Sequence, residues 1–262
     1  MSNKALLTIL IPLHKAKAWV DIISKNIELF PPNCKIIISD QTLCDNTLEI
    51  LKAKFKEDRR ISFISEIATT SWRIHTNYLI SKVETKYFSI MPQDDLITEG
   101  YYEKLLLAIA NKKNIALSFG VIEGRNVPNE PPCIIFSSPK IDLGKLRPWQ
   151  EAIILQKEWN LGIAYRGVIE TKIAKPILET PNDVFADLVW VFGLALKKHL
   201  VEVKDALYIK NYHSESAHSK WKNLDNSFSK DELNKLLARE IYRSYWYNPL
   251  KIRNIRNYLL EN

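Results

Sequence analysis

The chain has 262 residues, 46% of them hydrophobic and 26% charged, with only 7 glycines. That balance supplies a core for one large α/β domain or two small ones and excludes a disordered or low-complexity chain. No apolar run is long enough for a membrane-spanning helix, and the formal net charge of +7 suits nucleic acid, anionic lipid or phosphorylated substrates. Nucleic acid is the weakest of these partners, because there is no zinc-finger spacing, helix-turn-helix or Arg-rich arm. Cys34, Cys44 and Cys133 form no C-x-x-C pair. They read as thiols in a reducing compartment, so a cytoplasmic location is expected.

In chain order, Leu6 to Pro12 reads as a first strand rather than a signal peptide, since Pro12 closes the apolar run. Trp19, Ile22, Ile23, Ile27 and Phe30 have helical spacing over Ala18 to Phe30. Pro31-Pro32-Asn33 ends that helix. Lys35 to Ser39 is a second strand running into Asp40, and Asp45-Asn46-Thr47 opens a helix to about Phe55. Arg60 to Ile64 is a third strand, Trp72 to Val83 a helix, Tyr87 to Met91 a fourth strand and Thr98 to Ala110 the next helix. This alternation predicts right-handed crossovers and a parallel sheet.

Beyond residue 120 the pattern is less regular. Ile115 to Val121 reads as a strand, and the proline-rich stretch Glu123 to Lys140 as a long loop or hairpin that shapes a binding surface. Trp149 to Lys157 is expected as a helix, Gly162 to Ile169 as a strand and Asp183 to Lys198 as a helix. Leu200 to Val203 and Ala206 to Ile209 are expected as two short strands, with helix from Asp231 onward. The division expected is 1–120 as a nucleotide-binding half, 121–230 as an acceptor-side half and 231–262 as a C-terminal helical extension.

The most informative stretch is Tyr87-Phe88-Ser89-Ile90-Met91-Pro92-Gln93-Asp94-Asp95, where an apolar strand runs into adjacent carboxylates. Open α/β sheets bind ligands at this edge. Two carboxylates there repel each other and suit a hard cation such as Mg²⁺ or Mn²⁺, which also bridges to phosphate. The alternative is that one of them caps a helix beginning near Ile97-Thr98-Glu99.

Taken together, these segments resemble a glycosyltransferase of family 2 with the GT-A fold. The resemblance runs from about residue 6 to 221. It rests on the strand closing at Pro12, on Ser39-Asp40-Gln41 leading to Asp45-Asn46-Thr47, on the helix carrying His75-Thr76-Asn77, and on Pro92-Gln93-Asp94-Asp95. Late in the chain, Phe185-Ala186-Asp187-Leu188 and Tyr212-His213-Ser214-Glu215-Ser216 complete it. The chain departs from the family pattern where Pro92 replaces the first acid of an Asp-x-Asp metal motif, where Gln41 and Ala186 replace acids, and where Thr76 replaces an arginine. The resemblance implies a Rossmann-like, mostly parallel sheet flanked by helices, with an irregular acceptor-side half and C-terminal helices. It also implies an inverting enzyme that moves a sugar from a nucleotide diphosphate, UDP by default, to a hydroxyl of a glycan or lipid-linked glycan. The setting implied is polysaccharide or lipopolysaccharide biosynthesis.

The same resemblance assigns roles. Asp94 holds Mn²⁺ or Mg²⁺ and, through it, the donor phosphates, with His213 as a further metal ligand or a donor to the diphosphate. Asp95 is an acid behind the metal or a contact to the donor sugar. Asp40 accepts hydrogen bonds from the base or ribose; Pro12, Leu13 and His14 lie beside the base. Arg73, Asn77 and Gln93 complete the nucleotide-sugar site. Asp187 is the general base, with Asp183 its rival on the same helical face. Trp149, Trp159, Tyr165 and Arg166 are available on the acceptor side. His218, Ser216 and Lys220 belong to the loop after His213.

Tyr245, Trp246, Tyr247, Lys251, Arg253 and Arg256 suit an anionic membrane interface, placing the enzyme at the inner face of the cytoplasmic membrane; the other reading is an ordinary helix pair. Two further functions stay open. A metal-dependent nucleotidyltransferase would also use paired acids, although residues 12 to 20 hold no glycine for a phosphate loop. A non-catalytic binding or scaffold protein of the same fold is kept open by Pro92 and Ala186.

Overall fold

The computed structural model describes residues 5–41, 45–65, 69, 71–126, 134–136, 146–159, 161–180, 183–213 and 230–261. Its strands are β1 (Leu7–Leu13), β2 (Lys35–Asp40), β3 (Ile61–Ile64), β4 (Tyr87–Ile90), β5 (Leu96–Ile97), β6 (Ile115–Asn126), β7 (Ile134–Phe136), β8 (Val168–Glu170) and β9 (His199–Tyr212). The helices, in the same chain order, are α1 (Val20–Leu29), α2 (Thr47–Lys54), α3 (Trp72–Ser81), α4 (Tyr101–Asn111), α5 (Pro148–Glu158), α6 (Ala186–Ala195), α7 (Lys230–Tyr245) and α8 (Pro249–Glu261). The expected α/β architecture is present: one sheet of order β3-β2-β1-β4-β8-β6-β9-β5, with β7 on β6.

Alternation along the strands makes two cores. Leu10, Ile37, Phe88 and Ile90 point to one face, where α3, α5, α6, α7 and α8 pack. Ile9, Ile11, Ile36 and Ile38 point to the other, covered by α1, α2 and α4. A strand buried on both faces needs apolar residues at every position, hence the near-continuous Ile and Leu of β1 and β2. Strands β1 to β4 pair in parallel, with β2 and β3 on one side of β1 and β4 on the other. The order therefore reverses beside β1, and the carboxyl ends of β1 and β4 form the crevice in which such sheets take ligands.

Four expectations are corrected. Neither Asp94 nor Asp95 caps a helix: Leu96 and Ile97 pair antiparallel with Ile209 and Tyr208, and α4 begins only at Tyr101 after Gly100 at φ 71°. The strand expected over 162–169 is a 3₁₀ turn, Leu161–Arg166, with β8 after it. Helix α6 starts at Ala186, later than Asp183, because Asp183 and Phe185 take positive φ. The two short strands expected after residue 200 are one strand, β9, parallel to β6. Its register jumps between Gly120↔Val203 and Val121↔Leu207, and that irregularity looks like a break in the sequence. The proline-rich stretch carries the hairpin strand β7 on β6, while residues 127–133 lie outside the description, as do Cys44, Cys133, Ser216, His218 and Lys220. Cys34 is a buried free thiol whose pKa burial pushes up to about 12.

Gly120 is the residue that allows the irregularity. A Cβ there would sit 2.3 Å from the Ala206 carbonyl oxygen and 2.7 Å from the Tyr101 ring. Backbone on one side and a buried ring on the other cannot both give way. Gly120→Ala is expected to lower unfolding free energy by about 1–3 kcal/mol, read from the midpoint of urea denaturation at unchanged m-value.

Candidate active site

The crevice is built by clamping two loops together. Following β1, the backbone of His14 is held at both ends by the Gln93 amide: His14 N–H donates to Oε1 at 2.7 Å, and Nε2 donates to the His14 carbonyl at 2.9 Å. Following β4, Asp95 turns inward and is 1% exposed. Its Oδ2 accepts from Arg166 Nε and from the Tyr208 hydroxyl, both at 2.9 Å, and its Oδ1 accepts from the Asn211 amide at 2.9 Å. Asn26 of α1 donates to the Asp95 carbonyl at 2.8 Å and accepts from Ile97 N–H at 3.1 Å. Burial pushes the Asp95 carboxyl up, and the Arg166 guanidinium pulls it back. Burial also works against the Arg166 charge, while the Asp95 carboxylate at 2.9 Å favours it. Both oxygens of Asp95 are thus engaged in the interior.

Asp94 faces the other way. Its carbonyl accepts from Asn211 Nδ2 at 2.6 Å, and its Oδ2 lies 2.9 Å from His213 Nε2 at the end of β9. The Trp19 ring leans on His213, centroid to centroid 4.7 Å. One carboxylate oxygen and one imidazole nitrogen this close are a donor set that suits Mn²⁺ or Mg²⁺ completed by phosphate oxygens and water. No group of three metal-binding side chains occurs among the described residues.

Asp187 stands in the first turn of α6, its Oδ1 accepting from Leu188 N–H at 2.8 Å. It shares an electrostatic neighbourhood with Asp94 and Asp95: all three act on Lys210 and on Tyr165. Burial, aided by Arg166, pushes the Lys210 ammonium down to about 8, against the pull of these three carboxylates. Lys210 escaped the sequence reading because β9 was expected to end at Ile209. The visible signal was alternation, which places Lys210 and Tyr212 on one face; the Lys210 ammonium lies 4.3 Å from the Tyr212 ring centroid.

Other predicted site residues are committed to the scaffold. Arg73 Nε donates to Asp183 Oδ1 at 2.9 Å, and Ser71 Oγ donates to Asp183 Oδ2 at 2.6 Å. Both oxygens of Asp183 are thereby engaged by α3 and the residue before it. Asn77 clamps the Ile177 backbone, donating at 3.0 Å and accepting at 2.7 Å, so it ties α3 to the segment before α6. Gln93 engages the His14 backbone through both its amide oxygen and its amide nitrogen. Pro12 and Leu13 lie at the crevice edge opposite Ser39 and Asp40, and Asp40 is fully buried. Asp45 closes the start of α2: against its partial burial, bonds from Thr47 and Lys17 hold its carboxyl below the usual range. On the acceptor side, Trp149 packs in the core against Tyr258 and Trp159 stacks on Phe119, while Arg166 belongs to Asp95.

Two outcomes follow from these burials. Arg166→Met, which leaves the Asp95 carboxylate in the interior without its cation, is expected to cost about 3–5 kcal/mol in urea unfolding. His75 is buried with Nε2 2.9 Å from Ser39 Oγ, and burial pushes its pKa from 6.5 down to about 4. Between those values the unfolded chain binds the proton and the folded chain resists it. This part of the stability is therefore complete above pH 6.5 and lost as the pH falls toward 4. A pH series of thermal melts should flatten across that window in His75→Asn.

The model of the family described as "Glycosyl transferase family 2" matches residues 8–167. No curated protein sequence matches the chain. Among solved structures, S. aureus TarS 1-349 in complex with UDP-GlcNAc is 15% identical with a TM-score of 0.67, the alignment covering 97% of this chain and 70% of that one. The mannosyltransferase PcManGT from Pyrobaculum calidifontis, in complex with GDP-Man and Mn²⁺, is 12% identical with a TM-score of 0.57, covering 99% and 74%. At such identities these two likenesses speak for the fold. With its ordered strands, its acidic corner and a match over more than half its length, the chain belongs to glycosyl transferase family 2 and has the GT-A architecture.

Proposed function

We propose that this chain is an inverting, metal-dependent glycosyltransferase that moves a sugar from a nucleotide diphosphate to a hydroxyl of a glycan or lipid-linked glycan, in polysaccharide or lipopolysaccharide assembly. The observation that carries the proposal is the contact of Asp94 with His213 at the carboxyl edge of the sheet, with Asp187 in the same electrostatic neighbourhood.

Asp94 and His213 would hold Mn²⁺ or Mg²⁺, which offsets the charge that grows on the departing diphosphate. Asp187 accepts the proton of the acceptor hydroxyl. That oxygen bonds to the anomeric carbon as the bond to the phosphate oxygen breaks, and the electron pair leaves with the nucleoside diphosphate. Attack from the side opposite the leaving group inverts the configuration. Lys210 supplies a further cation toward the leaving group. Pro12, Leu13 and His14, fixed by Gln93, form the edge against which the base rests. UDP is the default donor nucleotide; the TarS complex contains UDP-GlcNAc and the PcManGT complex GDP-Man, so both bases belong in the test.

The test is thermal unfolding with UDP, GDP and dTDP, each with and without Mn²⁺. Ligand binding to the native state raises the melting temperature by mass action. A Mn²⁺-dependent shift that disappears in Asp94→Ala supports the donor site and names the base. Asp187→Asn should keep that shift while turnover falls about 10²–10⁴-fold. Silence from every nucleotide, with the protein folded, would sink the reading in favour of a non-catalytic member of the fold. An independent check uses Lys210: binding of a diphosphate near pH 8 should draw a proton onto it, detected by calorimetry in buffers of different ionisation enthalpy and absent in Lys210→Met.

A further inference from the structure

The corner where α7 turns into α8 has no part in the proposed chemistry, yet its composition is that of a binding surface. Tyr242, Trp246, Tyr247 and Leu250 are 63%, 66%, 68% and 74% exposed, four of the seven large hydrophobic residues left in water among the described residues. Single exposed apolar residues are ordinary, but four within nine positions at one helix–helix corner are not. Tyr245 is the exception among the aromatics expected here: it is buried and its hydroxyl donates to the Leu196 carbonyl, so it anchors the corner rather than extending from it.

Beside these residues lies a cavity of about 410 Å³ whose lining includes Lys175, Lys197, Arg243 and Lys251. An adjoining hollow shares Lys175, Arg243 and Trp246 and adds Arg239 and Tyr242. The cations are only partly balanced from within. Glu240 is buried and paired with Arg243 at 2.9 Å. Lys175 donates to the Arg243 carbonyl at 2.9 Å, a neutral acceptor, and Lys251 lies 4.0 Å over the Tyr245 ring. Burial pushes the Lys197 ammonium down, and the adjacent Lys175 charge pushes it further the same way. Like charges kept together beside a hollow, with one carboxylate among them, complement an anion.

We propose that the α7–α8 corner is a docking surface for an anionic phospholipid bilayer, with Trp246, Tyr247 and Leu250 entering the interfacial region and the lysine–arginine hollow receiving a lipid phosphate. Aromatic rings beside an aliphatic tip are what the headgroup boundary accepts, and cations near the surface are drawn to acidic lipid. No helix among the described residues is long and apolar enough to cross a membrane. The proposal goes beyond the transfer reaction and does not depend on it.

The experiment is vesicle flotation of the full chain with phosphatidylcholine alone and with phosphatidylcholine containing three-tenths phosphatidylglycerol, at low and high salt. Binding is expected only to the acidic vesicles and should weaken with salt. The double variant Lys197→Gln/Lys251→Gln should bind roughly 25-fold more weakly, about five-fold for each cation removed. Trp246→Ser/Leu250→Ser, both at exposed positions, should lose at least ten-fold while its melting curve is unchanged. Lipids brominated in the acyl chain should quench tryptophan fluorescence in the unaltered chain and not in Trp246→Phe. Inorganic phosphate and glycerol phosphate provide the remaining arm. Tight binding of these without vesicles, or vesicle binding indifferent to Trp246→Ser/Leu250→Ser, would assign the hollow to a soluble phosphate and overturn the bilayer proposal. Failure to float with acidic vesicles would overturn it as well, whatever the nucleotide measurements show.

Discussion

The ion pair between Asp95 and Arg166 is the constraint on which the crevice depends. A carboxylate in a core is tolerated only when its charge is paired and its lone pairs are used. Here Arg166, Tyr208 and the Asn211 amide do both. Meeting that demand draws β9 and the turn before β8 onto the loop after β4, while Asn26 draws in α1 through the Asp95 backbone. The turn itself is possible because Gly162 lies against the Leu188 backbone and Gly167 against the Ser118 carbonyl, where a Cβ would stand 3.0 and 2.1 Å from those atoms. Because Asp95 is pulled inward, its neighbour Asp94 is turned outward, where it meets His213. The inward acid is thus the reason the outward one has a fixed position.

The two acids are adjacent in the sequence, and what fixes one inward and the other outward is tertiary. Apart from β5, which exists by pairing with the distant β9, the strands and helices of the first 111 residues are legible because burial on both sheet faces and 3.6-residue spacing are local signals. Lost were the elements set by distant contacts. Strand β9 looked broken because its irregularity opposite Gly120 interrupts the apolar run. The stretch 161–166 looked like a strand because its residues are nearly all buried, and burial alone does not distinguish extended chain from a 3₁₀ turn.

Polar side chains were the least legible. Arg73, Asn77 and Gln93 have the chemistry of ligand contacts, and each instead holds backbone or an acid from another segment. Their partners lie 110, 100 and 79 residues away in sequence, so residue type was visible and partner was not. Asp94 and His213, 119 residues apart, were joined in advance only through the family resemblance.

The departure at Pro92 takes on a physical meaning in this frame. A proline side chain offers no ligand, and the next residue, Gln93, is occupied in fixing His14. The outward donors of the corner are therefore one carboxylate from the loop after β4 and one imidazole from the end of β9. Among the described residues, Arg166 is paired with Asp95, and Asp94, Asp95 and Asp187 all act on Lys210. On the proposed function, a nucleotide diphosphate would bring further negative charge to this corner, and that charge would grow as the sugar bond breaks. A divalent cation held by Asp94 and His213, or Lys210 in its protonated form, would offset it. Lys210, held near the edge of its protonated range by burial, is positioned to respond to that charge. On that reading, Pro92 in place of an acid lowers the repulsion a donor would meet and leaves the Asp94–His213 pair as the place where a cation would be held.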